Sequence, residues 1–597
     1  MSDSGGNTSR AISFYGNIAF SAGTYTLSSG DSLQDSGGGF SVSSTGTYSV
    51  SASGYGFLSN PLIAGGFVRF LVSNKIIVGG DTESGYNDMF IAAPVTSTLA
   101  NSSFQGAYTI SAYTPGGTAA TSADFTYQLN PNGAGTLGTV SISGYSGAGS
   151  TITQSSSGVK YAFSNGANII SFPTSNSANF YSGQVFMYMS PDSNFVFGGT
   201  PGGYDMFVGV HNASGAGTLS GLYYETGLDD NELNGLDTYY GVFNAFQQNV
   251  IGNERIVYSN AGSSTATGFN YYTTYPANIS GTYTDPSNTV NYTLGQDGIR
   301  IGYGTGGYLG IEVALPYSAP TVTATTYLDP SGIVNTASSA PYTAGISPGD
   351  FITIYNGTGL ANSTVFAPPG AFPTTLGGVT VTVDGFLQAP LYYVSPTQIS
   401  FLVPYAASTY SVASIQVNNN GATSNIATTY VNLTTPGVFT ANPVGGIGYA
   451  AMLDFPATGG YFVVGANNPA NPGDNVALYL TGLGAPFPSN GDGALGPTTG
   501  DGLVQTINVD ISGTDVGTLA YQGLAPGLAG LYQINFQIPA ATPAGNNSLG
   551  ITGPDSYTNE ALIPISSGST AAARTSSEST PAAHTRVLPR LKKSVSH

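Results

Sequence analysis

The chain contains two versions of one segment, and this duplication constrains the fold more than any other feature. Residues 347–355 read SPGDFITIY, and residues 471–479 read NPGDNVALY. A second pair follows in the same order, QISFLVP at residues 398–404 and QINFQIP at residues 533–539. A strand-rich unit of about 100 residues, repeated and punctuated by Pro-Gly turns, is typical of an immunoglobulin-like β-sandwich. The duplication therefore predicts two Ig-like sandwiches in tandem.

A weaker repeat runs through residues 12–317. Three stretches have a similar pattern of strand, glycine step and second strand, at residues 76–91, 195–208 and 299–311. Their spacing is too long for a propeller blade or a solenoid turn. The pattern predicts three small antiparallel β units, and the strongest helical candidate, residues 239–249, is short.

We therefore predict an all-β fold, with three repeated antiparallel β units followed by two Ig-like β-sandwich domains. The predicted boundaries are a flexible N-terminus at 1–11, β units at 12–98, 99–214 and 215–317, a linker at 318–335, Ig-like domains at 336–433 and 434–566, and a disordered basic tail at 567–597.

Charge is scarce in this chain and unevenly distributed. Only 7% of residues are charged, the net charge is −19, and no Lys or Arg occurs between Ile301 and Ala573. An acidic body repels phosphates, so nucleic acid is excluded as a partner. The absence of cysteine excludes disulfides and thiolate metal sites. A low-charge surface of Ser, Thr, Asn and Tyr suits an exported all-β protein.

No run of apolar residues approaches the length of a transmembrane helix. The first residues lack the basic and apolar regions of a signal peptide. We expect an extracellular or cell-surface protein, with the chain beginning after processing.

Four stretches of the C-terminal half resemble a known family. They read GIVNTAS at 332–338, PGVF at 436–439, NPANPGD at 468–474 and APGLAGLYQIN at 525–535. In these stretches the chain resembles the uncharacterised Solibacter-type C-terminal domain of secreted acidobacterial proteins. The resemblance covers about 40% of the chain. It implies an exported, surface-associated protein with Ig-like modules, and it implies no catalytic residues.

The densest acidic cluster is the best candidate for a metal site. Oxygen ligands at short spacing beside glycine suit Ca²⁺, a hard cation. The alternative is a solvated acidic turn between the second and third β units. The candidate calcium ligands are Asp229, Asp230, Glu232 and Asp237.

Other candidates have simple structural explanations. A second oxygen-rich loop, residues 490–493, contains the sequence NGDG. Asp-Gly pairs favour turns more strongly than they indicate a cation site. Asp350 and Asp474 follow matching Pro-Gly steps and are expected to accept backbone N–H bonds. Asp88 and Asp205 also match, and the Tyr, Met and Phe beside them are expected to fill cores.

These observations favour a non-enzymatic structural or adhesive protein that forms homo-oligomers or polymers, such as surface filaments. With so few lysines to protect sheet edges, self-association through strand addition or flat Tyr/Asn-rich faces is the expected mode. The alternative is a polysaccharide-binding surface protein that presents a glycan site on its N-terminal β units. An enzyme using Glu225 or Asp229 ranks third, and no cofactor other than calcium is expected.

Overall fold

The computed structural model describes residues 2–567 except 4–7, 29–31, 39–41, 52–53, 82–86, 97, 164–167, 175–179, 215–218, 232–234, 247–248, 261–262, 275–281, 285–289, 306–307, 319–323, 445–446 and 458. The fold is all-β, as predicted. Its helical segments within this described part are four 3₁₀ turns, at Asn101–Ser103, Ala119–Thr121, Pro330–Gly332 and Tyr342–Ala344. The chain divides into an N-terminal unit, residues 1–323, and a C-terminal unit, residues 324–597. The division lies inside the stretch predicted to be a linker.

The N-terminal unit begins with an antiparallel sheet, called the first sheet here. Its order is β11-β10-β9-β8-β7-β5-β4, and the pairs β3–β6 and β1–β2 flank it. The strands are β1 Ser2–Asp3, β2 Thr8–Arg10, β3 Ile12–Tyr15, β4 Ile18–Ser21, β5 Thr24–Leu27, β6 Ser32–Asp35, β7 Thr45–Val50, β8 Tyr55–Ser59, β9 Phe67–Ser73, β10 Ile76–Asp81 and β11 Phe90–Ala92.

The next eight strands close into an antiparallel barrel, because the first strand pairs with the last, Tyr108 opposite His211. Ile110 and Ala112 are fully buried in the barrel core, whereas the next residue, Tyr113, points out of the barrel. The strands are β12 Tyr108–Thr114, β13 Ala123–Leu129, β14 Thr136–Ser146, β15 Thr151–Ala162, β16 Asn168–Phe172, β17 Gly183–Met189, β18 Phe195–Gly199 and β19 Met206–His211.

A third sheet completes the N-terminal unit, and the strands that begin and end it along the chain pair with each other at its centre, as Tyr224 opposite Leu315 shows. Its order is β24-β25-β26-β27-β20-β21-β22-β23. The strands are β20 Gly221–Asn231, β21 Gly235–Phe246, β22 Asn249–Asn260, β23 Ser263–Thr274, β24 Thr282–Thr284, β25 Val290–Leu294, β26 Arg300–Gly304 and β27 Tyr308–Pro316.

The C-terminal unit contains two sandwiches in tandem. In the first sandwich, Val379, Val381 and Val383 are buried, while Thr380 and Thr382 between them face outward. Its sheets are β28-β29-β34-β33-β30 and β32-β31-β35-β36, with β37 on β35. The strands are β28 Ile333–Asn335, β29 Phe351–Ile354, β30 Val365–Phe366, β31 Val379–Val383, β32 Leu387–Gln388, β33 Leu391–Val394, β34 Ile399–Leu402, β35 Ser411–Asn419, β36 Ala422–Thr423 and β37 Ala427–Val431.

The second sandwich has one core built from two sheets, since Leu478 and Ile534 pack in the same cluster as Ile511 and Ile551. One sheet has the order β42-β41-β43-β49-β48 with β38 on β43, and the other contains β47, β46, β50, β51, β40 and β39. The strands are β38 Gly437–Val438, β39 Thr440–Val444, β40 Ile447–Ala450, β41 Met452–Phe455, β42 Phe462–Val463, β43 Asn475–Thr481, β44 Pro486–Phe487, β45 Gly502–Leu503, β46 Asn508–Ile511, β47 Thr514–Asp515, β48 Tyr521–Leu524, β49 Tyr532–Gln537, β50 Gly545–Thr552 and β51 Ser556–Ile565.

A buried polar junction joins the two sandwiches. Asp350 is fully buried and accepts hydrogen bonds from Asn335 Nδ2 at 3.0 Å and from Thr435 Oγ1 at 2.7 Å. Thr481 Oγ1 accepts the backbone N–H of Phe351 at 2.8 Å. These five residues come from both sandwiches and from the segment between them, and we call them the polar junction. Burial raises the pKa of Asp350 from 3.8 to about 8.

A second set of contacts fixes the same joint. Asp555 accepts the backbone N–H groups of Leu433, at 2.6 Å, and Thr434, at 3.1 Å. Asp492 Oδ1 accepts the N–H of Tyr405 at 2.7 Å. The connecting segment is therefore held by hydrogen bonds on both sides.

The two duplicated aspartates differ in role. Asp474 is half-exposed and accepts from Asn471, at 3.3 Å from the backbone N and 2.8 Å from Nδ2, as expected of a turn carboxylate. Asp350 instead lies in the polar junction. Asp492 of the second oxygen-rich loop likewise contacts the first sandwich, where its carboxylate accepts the backbone N–H of Tyr405.

The strongest helical candidate of the sequence falls in strands, because β21 continues to Phe246 and β22 begins at Asn249. In the described part of residues 1–11, β1 pairs with β2 and Arg10 binds Asp35 through two hydrogen bonds of 2.9 Å. The first strand of the first sandwich, β28, starts at Ile333. The basic tail lies outside the described residues beyond 567.

Candidate functional site

The N-terminal unit contains a cavity of about 460 Å³ between the first sheet and the outer face of the barrel. This volume falls within the roughly 300–1,000 Å³ of pockets that hold small molecules. The walls are mostly apolar and aromatic, and they come from four elements. They include Phe14 and Tyr15 of β3, Val68, Ile77 and Phe90 of the first sheet, Tyr188, Phe197 and Met206 of the barrel, and Leu228 and Ile311 of the third sheet.

Tyr15 of β3, which lines the cavity, contacts the barrel through its hydroxyl and its ring. Its hydroxyl donates to the backbone oxygen of Asp205 at 2.5 Å, and its ring stacks on Tyr188 with centroids 6.5 Å apart. Burial, with the nearby Asp205 carboxylate, raises the pKa of Tyr15 well above its usual value. Tyr15 is therefore a fixed neutral donor.

Glycines allow the close approach on which this contact depends. A Cβ added at Gly199 would lie 1.9 Å from Tyr15 Oη and 2.3 Å from the Asp205 oxygen. A Cβ added at Gly80, the matching position in the first sheet, would lie 3.0 Å from the Asp88 oxygen. In both places the repeated glycine step lets a strand pass close to the backbone oxygen of a following aspartate, and the approach is closer at Gly199 than at Gly80.

The matching aspartates lie at one end of the cavity. Asp205 is 6% exposed, and its carboxylate accepts the Thr200 backbone N–H at 3.0 Å and the Thr200 hydroxyl at 3.1 Å. Burial raises the pKa of Asp205, and the hydrogen bonds from Thr200 act in the opposite direction. Asp88 is half-buried, with its Oδ1 about 4.0 Å from the position of a Cβ on Gly80.

The neighbours of the two aspartates were expected to fill cores, and only some do. Phe207 is fully buried in the barrel core. Tyr204 and Met206 instead point outward, are half-buried and line the cavity. Strand residues alternate between two faces, so the sequence shows which residues share a face. It does not show which of the two faces another element covers.

The structure does not gather the candidate calcium ligands into one described group. Asp229 and Asp230 are consecutive in β20 and so point to opposite faces of the strand. Asp230 is 4% exposed and accepts the Tyr113 hydroxyl at 2.9 Å, while Asp229 is half-buried. Glu232 lies outside the described residues, and Asp237 is in β21 opposite Asp229. Among the described residues, no three acidic or histidine side chains are placed to hold a metal ion.

Glu225, the enzyme candidate, belongs to a buried ion cluster. The Arg300 Nη2 atom lies 3.2 Å from Glu225 Oε2 and also contacts Glu312. The guanidinium carbon lies 4.2 Å from the ring centroid of Phe243 and 4.3 Å from that of Tyr292. Arg300 and Glu225 are each 1% exposed. A glycosidase pair faces a substrate cleft, whereas these two carboxylates enclose a guanidinium.

Sequence reasoning did not find the cavity. Its residues come from four elements separated by up to about 300 positions, and no local pattern links Phe14 to Ile311. The signals present were the Gly-Gly steps and the Tyr-Asp-Met-Phe motif, which mark its inner end.

No protein-family model matches the chain, and a search of curated proteins found no match. The resemblance to the Solibacter-type domain therefore stays a prediction. Within the described residues, no helix is both long and apolar enough to cross a membrane.

Proposed function

We propose that this protein is a non-enzymatic structural or adhesive protein of the cell surface, in which the C-terminal unit is a rigid spacer. The observation that carries the proposal is the polar junction together with the contacts of Asp555 and Asp492. A tandem of modules joined by buried hydrogen bonds transmits force and holds distance, whereas a flexible linker does neither.

The surface chemistry of the spacer supports self-association through faces rather than edges. Several of its edge strands have only two residues, including β32, β36, β42 and β47, and very short edge strands resist strand addition. The outward residues of β31 and β35 are uncharged. Thr382 lies opposite Gln416, and Thr380 opposite Asn418, all half-exposed.

Light scattering after size-exclusion chromatography tests the proposal, with electron microscopy of the same samples. We expect the full chain to assemble in a concentration-dependent way. Thr382→Lys should reduce assembly, because the lysine places a charge on the uncharged outward face of β31 and β35. Ser489→Lys, on an exposed loop of the second sandwich, is the matched control and leaves assembly unchanged. A monomer at all concentrations argues against assembly, and equal effects of both lysines argue against this face.

The structure gives less support to a polysaccharide site in the cavity. Sugar recognition uses polar groups around an aromatic platform. The hydroxyls of Tyr15 and Tyr113, two of the cavity tyrosines, already donate to Asp205 and Asp230. A glycan array with the full chain remains the direct test of the glycan hypothesis.

A further inference from the structure

We propose that the cavity of the N-terminal unit binds a single-chain anionic amphiphile, such as a long-chain carboxylate, with its head group at Lys75. The inference goes beyond the structural role and holds whether or not the protein assembles. It rests on the apolar walls, on the position of Lys75 and on the separation of charge along the cavity.

Lys75 lies at the open end of the cavity. It is exposed, lines the cavity and occupies the turn between β9 and β10. Ile77 pairs with Ala92, so the antiparallel register places Pro94 and Val95 beside Lys75. Val95 is 77% exposed, which marks this end as the mouth.

The backbone conformation at this turn is unusual for the residues that occupy it. Asn74 has φ +46° and Lys75 has φ +66°, as in a type I′ turn, where glycine is preferred at the second position. A side chain with a Cβ is disfavoured in this left-handed region relative to glycine. A lysine retained at this strained backbone position indicates that the charge of Lys75 has a function.

The charge of Lys75 is available to a ligand. None of the ion pairs in the described part of the chain involves Lys75. The Asp88 carboxylate lies beside Gly80, five residues along β10, which is about 17 Å away for an extended strand. Lys75 is also one of only 11 basic residues in a chain of net charge −19, so an anion has few other attractive positions.

The two ends of the cavity therefore differ in polarity. The mouth carries a cation, the centre is lined by apolar side chains such as Ile77 and Phe90, and the inner end carries Asp88 and Asp205. Within the described lining of the cavity, Lys75 is the only Lys or Arg, so an anionic head finds its counter-charge there. The amphiphile therefore enters tail first and leaves its head at Lys75, where the cation pairs with it and the tail excludes water.

Isothermal titration of the full chain with palmitate tests the assignment. We expect one saturable site. Lys75→Met weakens binding by about three- to tenfold, the size of a partly exposed charge-assisted contact. Lys160→Met, which changes an exposed lysine on the barrel strand β15, leaves binding unchanged.

Probe chemistry separates the head group from the tail. Hexadecanol binds the wild type about as tightly as palmitate binds Lys75→Met, and hexadecyltrimethylammonium binds more weakly than either. Two cavity-filling variants, Ala92→Phe and Ala93→Phe, reduce palmitate binding at least tenfold while keeping the circular dichroism spectrum. Testing both guards against one of them failing to fold.

Four results would overturn the proposal. They are no saturable palmitate binding, equal weakening by Lys75→Met and Lys160→Met, tighter binding of the cationic probe, and undiminished binding in folded filling variants. Co-sedimentation with phosphatidylglycerol vesicles that depends on Lys75 would also overturn it, because the site would then read a membrane surface rather than a single-chain ligand.

Discussion

Replacing Asp350 with asparagine removes a titratable group from the polar junction while keeping its shape. The fully buried carboxyl has a pKa of about 8, against 3.8 as its ordinary value, because burial disfavours the charged form. Asparagine can still accept from Asn335 Nδ2 and can donate to Thr435 Oγ1, since a hydroxyl also accepts. The substitution therefore isolates the effect of ionisation.

The sign and size of the effect follow from proton linkage. Between pH 3.8 and about 8 the folded state holds a proton on Asp350 that the unfolded state has released. The stabilisation is complete below the lower value and is lost as pH rises through the upper one. The slope is roughly 1.4 kcal/mol per pH unit, so the wild type should lose about 4 kcal/mol relative to Asp350→Asn between pH 5 and pH 8.

Hydrogen exchange with mass spectrometry measures this locally, which matters because a chain of several modules need not unfold in one step. Protection of peptides covering residues 347–355, corrected for the intrinsic rate at each pH, should fall with pH in the wild type more steeply than in Asp350→Asn. The duplication supplies the control, because Asp474 is the matching residue and is half-exposed. Asp474→Asn should leave the pH dependence unchanged.

Equal pH slopes for the wild type and Asp350→Asn would refute the reasoning, since they would mean that the carboxyl does not hold a proton in the fold. A matching effect of Asp474→Asn would refute it differently, by showing that burial at the junction is irrelevant.

Three further predictions concern the N-terminal unit. Arg300→Met leaves Glu225 and Glu312 buried without their shared cation, so thermal unfolding should show a loss of about 3–5 kcal/mol, whereas Arg10→Met, at a partly exposed pair, should cost about 1 kcal/mol or less. Gly199→Ala forces a methyl group against Tyr15 and should cost about 1–3 kcal/mol in chemical denaturation, while Gly202→Ala, with nothing within 4 Å of its added Cβ, should be near neutral. A calcium chelator should leave the thermal midpoint unchanged, because Asp229 and Asp230 point to opposite faces of β20; a rise of several degrees on adding Ca²⁺ would support the calcium hypothesis.

The all-β class could be predicted from the sequence because strand alternation and turn formation depend on residues that are neighbours in the chain. Alternation in VTVTV at residues 379–383 has the period of a half-buried strand, and the structure buries Val379, Val381 and Val383. The Pro-Asp step at residues 190–193 favours a turn, and in the structure this segment joins β17 to β18, with Asp192 accepting the Asn194 N–H at 3.1 Å.

Roles that depend on packing between distant segments could not be read in the same way. Asp350 and Asp474 follow the same Pro-Gly step, yet only Asp350 meets Thr435 and the strand that ends at Thr481. The acidic run at 229–237 resembled a loop because of its charges, whereas strand pairing placed Asp229 and Asp237 opposite each other in a hairpin. The cavity depends on how the first sheet covers the barrel, which no periodicity encodes.

The polar junction also bears on how such a protein can be inherited and shuffled. Its hydrogen bond from Thr435 to Asp350 crosses the boundary between the sandwiches, and so does the bond from the Leu433 N–H to Asp555 in the second set of contacts. A recombination breakpoint between the sandwiches would separate a buried carboxyl from at least one of its donors. Each orphaned group costs about 1–3 kcal/mol, so genetic exchange should move the two sandwiches as one cassette even though duplication created them as two.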